Sequence, residues 1–95
     1  MAIAVQLDFF EATLDQYDQV IEKMGFTPGG TGPPGNMFHW VTEVEGRVRI
    51  TDVWETQEQF EQFAQEKIGP LAAEVGVPRP PEVTYFEVHN YLTAG

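Results

Sequence analysis

Residues 36–55, NMFHWVTEVEGRVRITDVWE, decide how this chain folds. Two runs of strand character flank Glu45-Gly46, a pair suited to a two-residue type I′ hairpin turn. With that pair as the loop, Val44 faces Arg47. Counting outward sets Val41 opposite Ile50, His39 opposite Asp52 and Met37 opposite Trp54. Cross-strand partners share a face of the sheet. One face then holds Met37, His39, Val41, Glu43, Val48, Ile50, Asp52 and Trp54, with an aliphatic centre and no arginine, which assigns it to the covered side. The other holds Phe38, Trp40, Thr42, Val44, Arg47, Arg49, Thr51 and Val53.

On either side of the hairpin the pattern is strand, helix and loop. Residues 2–10 alternate, with Ile3, Val5, Leu7 and Phe9 on one wholly apolar face. Thr13 followed by Gln16 reads as a capping box, and Leu14, Tyr17, Val20, Ile21 and Met24 recur at helical spacing before Gly25 stops the run. Residues 27–36 hold four Gly and three Pro, an ordered loop or a mobile cover. No Gly-Lys-Ser/Thr follows, so it is not a phosphate-binding loop. A second capping box, Thr56 with Gln59, opens a helix whose face is Phe60, Phe63, Ala64, Ile68, Leu71 and Val75. Pro70 is expected to kink or break that helix near Gly69. VPRPPE, 77–82, is a stiff connector, and 83–92 form the last strand.

Strand, helix, strand, strand, helix, strand is the ferredoxin-like βαββαβ plan: one α+β domain over residues 1–95, an antiparallel sheet with both helices on one face. The face without helices is wet in a monomer, yet Phe38, Trp40, Val44, Tyr85 and Tyr91 are candidates to cover it. A homodimer through that sheet face buries them.

Composition narrows the partners. Five basic residues stand against fifteen acidic ones, a formal net charge of -10, so nucleic acid and anionic membrane surfaces are poor partners. The absence of cysteine removes disulfide and thiolate chemistry and fits a cytoplasmic address. Residues 1–12 lack the features of a secretory signal peptide, and no apolar run is long enough to span a bilayer.

His39 and Asp52 are the candidate catalytic pair. The carboxylate can fix the imidazole tautomer and leave the other ring nitrogen to act on a substrate as base or donor. The plainer reading is a core histidine satisfied by an aspartate with no chemistry. The candidate ligand-binding residues are Trp54 as a stacking wall, Tyr17, Phe60 and Phe63 around it, and Asn90 if its side of the last strand faces the pocket. Each is also explained by packing, or for Asn90 by strand-end hydrogen bonding. His39, Asp52 and His89 are the ligand types of a two-histidine, one-carboxylate centre, but the face assignments separate His89, so no metal is expected.

Residues 50–63, ITDVWETQEQFEQF, with the helix ending IGPLAAEVG at 68–76, resemble the dimeric α+β barrel superfamily, in particular small proteins related to the antibiotic biosynthesis monooxygenases. The resemblance spans essentially the whole chain. It implies a homodimer joined through its sheets, a pocket between sheet and helices, and a Trp at position 54 lining it. Some members of that group oxidise polycyclic aromatics without metal or flavin, so no cofactor is expected. Related haem-degrading members carry a pocket Asn on the first strand and a His on the second helix. Here Gln6 stands on the first strand and the second helix has no His, which speaks against haem. The resulting expectation is a small-molecule-binding homodimer, with a cofactor-independent monooxygenase-like reaction on an aromatic or polyketide-like substrate as one outcome. The alternative is a non-catalytic module that meets another protein through its sheet face or acidic helix.

Overall fold

A computed structural model describes residues 2–94. The strands are β1 (Ile3–Phe10), β2 (Asn36–Val44), β3 (Arg47–Trp54) and β4 (Glu82–Glu87). They form one antiparallel sheet in the order β2-β3-β1-β4. The helices are α1 (Leu14–Met24), α2 (Gln57–Phe63) and α3 (Gly69–Glu74), with α2 and α3 joined by a π-helical turn, Ala64–Ile68. This is the expected ferredoxin-like α+β plan.

The hairpin register holds at its centre: His39 faces Asp52, Val41 faces Ile50 and Val44 faces Arg47. Two details differ. Glu45 keeps a negative φ while Gly46 takes +77°, so the turn is not type I′; these signs are those of type II, in which glycine alone takes the left-handed position. At the far end the register shifts, and Asn36, not Met37, lies opposite Trp54. The loop causes the slip. The Asn36 N–H closes a turn on the Pro33 carbonyl and the Glu55 N–H bonds the Gly35 carbonyl, so Met37 enters as an extra residue.

Thr13 caps α1 with both halves of the capping box, a motif worth about 1 kcal/mol. The second box is only half formed. Thr56 accepts from the Gln59 N–H, but the Gln59 amide turns to Glu55 instead of the cap backbone. Pro70 does not end the second helix. A straight α-helix would drive the proline ring into the carbonyl four residues back. The chain instead widens by one residue, with the Gly69 N–H reaching back to the Ala64 carbonyl, and resumes as α3.

Val5, Leu7, Phe9, Val48, Ile50, Trp54 and Phe60 form the buried core under α2 and α3. The sheet's other face is open and divides in two. Ala4, Phe38, Val53 and Phe86 make an apolar row, and beyond it Asp8 is buried between the guanidinium groups of Arg47 and Arg49, at 3.2 and 2.9 Å. Phe38, Trp40 and Phe86 are 56, 46 and 53% exposed, so this face is the uncovered one.

The last strand is shorter and differently faced than its sequence suggests. It ends at Glu87, and Val88 makes one more backbone bond, to Ala2. Tyr85 pairs with Val5 and so points to the helices, where its ring meets Phe60 edge-on at 6.0 Å and its hydroxyl donates to Glu61. Tyr85 is thus not part of the open face; Phe86 is. Apolar residues stand at both parities of 83–88, which is why alternation alone misassigned them. Among the described residues no helix is long and apolar enough to cross a membrane.

Candidate active site

α1 is amphipathic, yet none of its residues is buried. It is tied to the end of α3 by Gln16 Nε2 donating to the Val75 carbonyl at 3.3 Å and by the Lys23–Glu74 ion pair at 3.4 Å. Its contact with the sheet is slight. The space left beneath it is a cavity of about 700 Å³, walled by Tyr17, Ile21 and Met24 of α1, floored by Val48 and Ile50, and covered by the Gly/Pro loop 27–33. The size suits a drug-sized ligand, for which ~300–1,000 Å³ is usual.

Four side chains form one hydrogen-bonded chain on the wall of this cavity. Asp52, 4% exposed, receives the Trp54 indole N–H on Oδ2 at 3.0 Å and His39 Nδ1 on Oδ1 at 2.6 Å. A carboxylate can only accept, so the neutral imidazole carries its proton on Nδ1 and turns Nε2 outward as an acceptor. That nitrogen is not free, as the sequence had suggested. Tyr17 Oη lies 2.5 Å from it and donates. The two rings lie nearly parallel, 10° apart, with centroids at 5.9 Å. Tyr17 is therefore the polar end of the chain.

The Tyr17 phenol is pushed up to about 12, first by desolvation and then by the negative charges of Asp52 and Asp18. It stays protonated at neutral pH and can pass a proton on without resting as a phenolate. Its raised value is stability present below pH 10 that is lost as pH rises from about 10 through about 12, because the unfolded chain gives up that proton first. In an ultraviolet titration, Tyr17→Phe should lack the tyrosine ionisation near pH 12 that the parent protein shows; an unchanged curve would place Tyr17 in water.

The other expected residues divide. Trp54, 1% exposed, and Phe63 both line the cavity, with their rings 5.4 Å apart. Phe60 does not line it; it stands behind Trp54, ring centroids 5.8 Å apart, and holds the indole from the core side. Asn90 is not at the site. It lies in the exposed segment after β4 and lines neither this cavity nor the one on the far side of the core. His89 lies in the same segment, and the described residues hold no cluster of three or more His, Asp or Glu able to hold a metal. Gln6 projects to the open face, since it pairs with Thr51 there, and so stands across the sheet from the cavity. Tyr17 lines the cavity, where the sequence placed it, but its hydrogen bond to His39 was not foreseen. The Asp8–Arg47–Arg49 cluster was missed, although it follows from strand parity once β1 and β3 are paired.

The architecture can now be set beside known structures. Rv0793 from Mycobacterium tuberculosis superposes with a TM-score of 0.69 at 14% identity, covering 98% of this chain and 100% of that one. A candidate antibiotic biosynthesis monooxygenase from Chloroflexus aurantiacus gives 0.64 at 19% identity and covers both chains in full. The chain has the ferredoxin-like fold of the antibiotic biosynthesis monooxygenase-like proteins. SnoaB from Streptomyces nogalater, a cofactor-independent oxygenase, gives 0.60 at 17% identity over 96% of this chain and 95% of its own. No family model and no curated protein matches the sequence. Identities this low carry the fold and leave the chemistry to the residues of this chain.

Proposed function

We propose that this protein binds a planar hydroxylated aromatic or polyketide-like molecule in the cavity under α1 and removes a proton from it, as a cofactor-independent monooxygenase-like enzyme. The observation that carries the reading is the Tyr17–His39–Asp52 chain, with links of 2.5 and 2.6 Å, set on the wall of an otherwise largely apolar space. A ligand hydroxyl donates to Tyr17 Oη while the Tyr17 proton moves to His39 Nε2. The resulting imidazolium is neutralised by Asp52, whose second oxygen is held by Trp54. The electron-rich anion left on the ligand is the form that reacts with dioxygen. SnoaB, an oxygenase without cofactor on the same fold, supports this direction.

The open sheet face, with Phe38, Trp40 and Phe86 in water, supports a homodimer joined there. The same exposed face favours the second reading, a module that meets a different protein. Sedimentation separates them: a dimer supports the first, a monomer the second.

Calorimetric titration with 2-naphthol and with naphthalene tests the site. The expected result is saturable binding of 2-naphthol, weaker binding of naphthalene, and loss of that difference in Tyr17→Phe. Failure of both compounds to bind, or equal binding of the two, contradicts it.

A further inference from the structure

A second cavity, of about 580 Å³, lies on the far side of the core, between the π-helical turn with α3 and the β4 edge with its proline connector. Its walls include Phe60, Ala64, Ala73, Pro78, Val83 and Tyr85. It is separate from the site above, but the two share their partition: Leu7 and Phe9 of β1 below, Ile68, Ala72 and Val77 above. The first cavity lies over β2, β3 and β1; the second lies over β1 and β4.

The two halves of this partition differ. Leu7 and Phe9 are 1 and 5% exposed and form a fixed floor. No residue of the π-helical turn or of α3 is buried, and the partition's upper side is an alanine, a valine and an isoleucine at the end of the irregular turn. A π-turn is a weaker hydrogen-bonded arrangement than the α-helix on either side, and such turns recur at functional sites. The floor therefore runs without interruption beneath a thin wall of three side chains, Ile68, Ala72 and Val77, that are only partly buried against the core. From β2 to β4 it measures ~14 Å, three interstrand spacings.

The ends of this slot differ in chemistry. The first has the Tyr17–His39 hydrogen bond; the second presents aliphatic, proline and aromatic side chains, with Glu61, Gln65 and Arg79 also on its lining. We infer that the two cavities act as one slot for an elongated amphipathic ligand, a hydroxylated ring at Tyr17 carrying an unbranched apolar tail that crosses Leu7 and Phe9 into the second cavity. This rests on the reading of the first cavity as a ligand site and adds the shape of the ligand. Tail burial is the hydrophobic transfer of methylene groups, which raises affinity by about fourfold for each one fully buried.

The test is the affinity of 2-naphthol, 6-butyl-2-naphthol and 6-hexyl-2-naphthol, read by fluorescence for the parent protein, Val83→Lys and Ala73→Trp. Of the two cavities, Val83 and Ala73 line only the second, and both are solvent-exposed. The expected result is affinity rising at least tenfold from 2-naphthol to the hexyl compound, with either substitution removing most of that gain and leaving 2-naphthol affinity unchanged. Binding of 2-naphthol with no gain from the tail overturns the slot and leaves the hydroxyarene site standing. A gain that survives both substitutions also overturns it, since the tail then lies elsewhere. If none of the three compounds binds, both readings fall together.

Discussion

Replacing Trp54 with alanine should lower the melting temperature by an amount on the order of 20 °C, the largest loss expected from any single substitution in this chain. Trp54 is 1% exposed and closes the core between Phe60 and Phe63. Truncating a buried Trp costs about 3–5 kcal/mol, and a domain of this size loses roughly 4–8 °C for each kcal/mol. Against a total stability of about 5–15 kcal/mol this is a large share. Two effects are combined in that loss and can be separated. Trp54→Phe keeps most of the ring but deletes the N–H that satisfies Asp52 Oδ2. It should cost about 1–3 kcal/mol, the penalty of an unpaired buried acceptor. Urea denaturation of the three proteins measures both. A loss below about 1 kcal/mol for the alanine variant would mean that the indole is not a core group.

The second large effect concerns chemistry. His39 sits on the edge strand β2 with about a third of its side chain exposed (33%), but it is a partner of the buried Asp52 carboxylate, so His39→Ala should cost about 1–3 kcal/mol, less than Trp54→Ala. On the proposed path it also deletes the proton acceptor, and general acid–base groups contribute about 10²–10⁴-fold to rate. Oxygen uptake with a dihydroxynaphthalene should fall by that factor, while Tyr17→Phe should fall comparably because it cuts the same path one step earlier. The double variant should be no worse than either single one, since residues acting as one unit are not additive. Equal activity in His39→Ala and the parent protein would reduce the pair to a structural contact.

The contrast between these two residues shows what the sequence made legible. Glu45-Gly46 fixed the loop, and from it the His39–Asp52 pairing followed by counting, because strand parity is rigid and one face is apolar. Thr13 and Gln16 announced the start of α1 for an equally local reason. What failed was tertiary or balanced on both sides. The parity of β4 was ambiguous because Tyr85 and Phe86 are both apolar aromatics on an edge strand, and so Asn90 was sent to a pocket it does not reach. Met37 slipped because a hydrogen bond from Glu55 to the loop, not strand pattern, sets its place. Pro70 announced a disturbance but not its form, since a break and a π-turn both remove the clash. The Tyr17–His39 contact joins α1 to an edge strand across open space, and no spacing along the chain records that distance. The His39–Asp52 pairing was readable, and so was Tyr17 as a pocket residue; the hydrogen bond that joins them was not.

That contact is also the point most open to direct measurement. Nitrogen-15 NMR of the imidazole of His39, with and without saturating 2-naphthol, reports the tautomer and its proton in one experiment. The expected spectrum of the free protein has Nδ1 protonated and Nε2 as an acceptor, and addition of 2-naphthol, but not of naphthalene, should move Nε2 toward the protonated form. The opposite tautomer, or an Nε2 signal that saturating 2-naphthol leaves in place, would contradict a proton path from ligand through Tyr17 to His39.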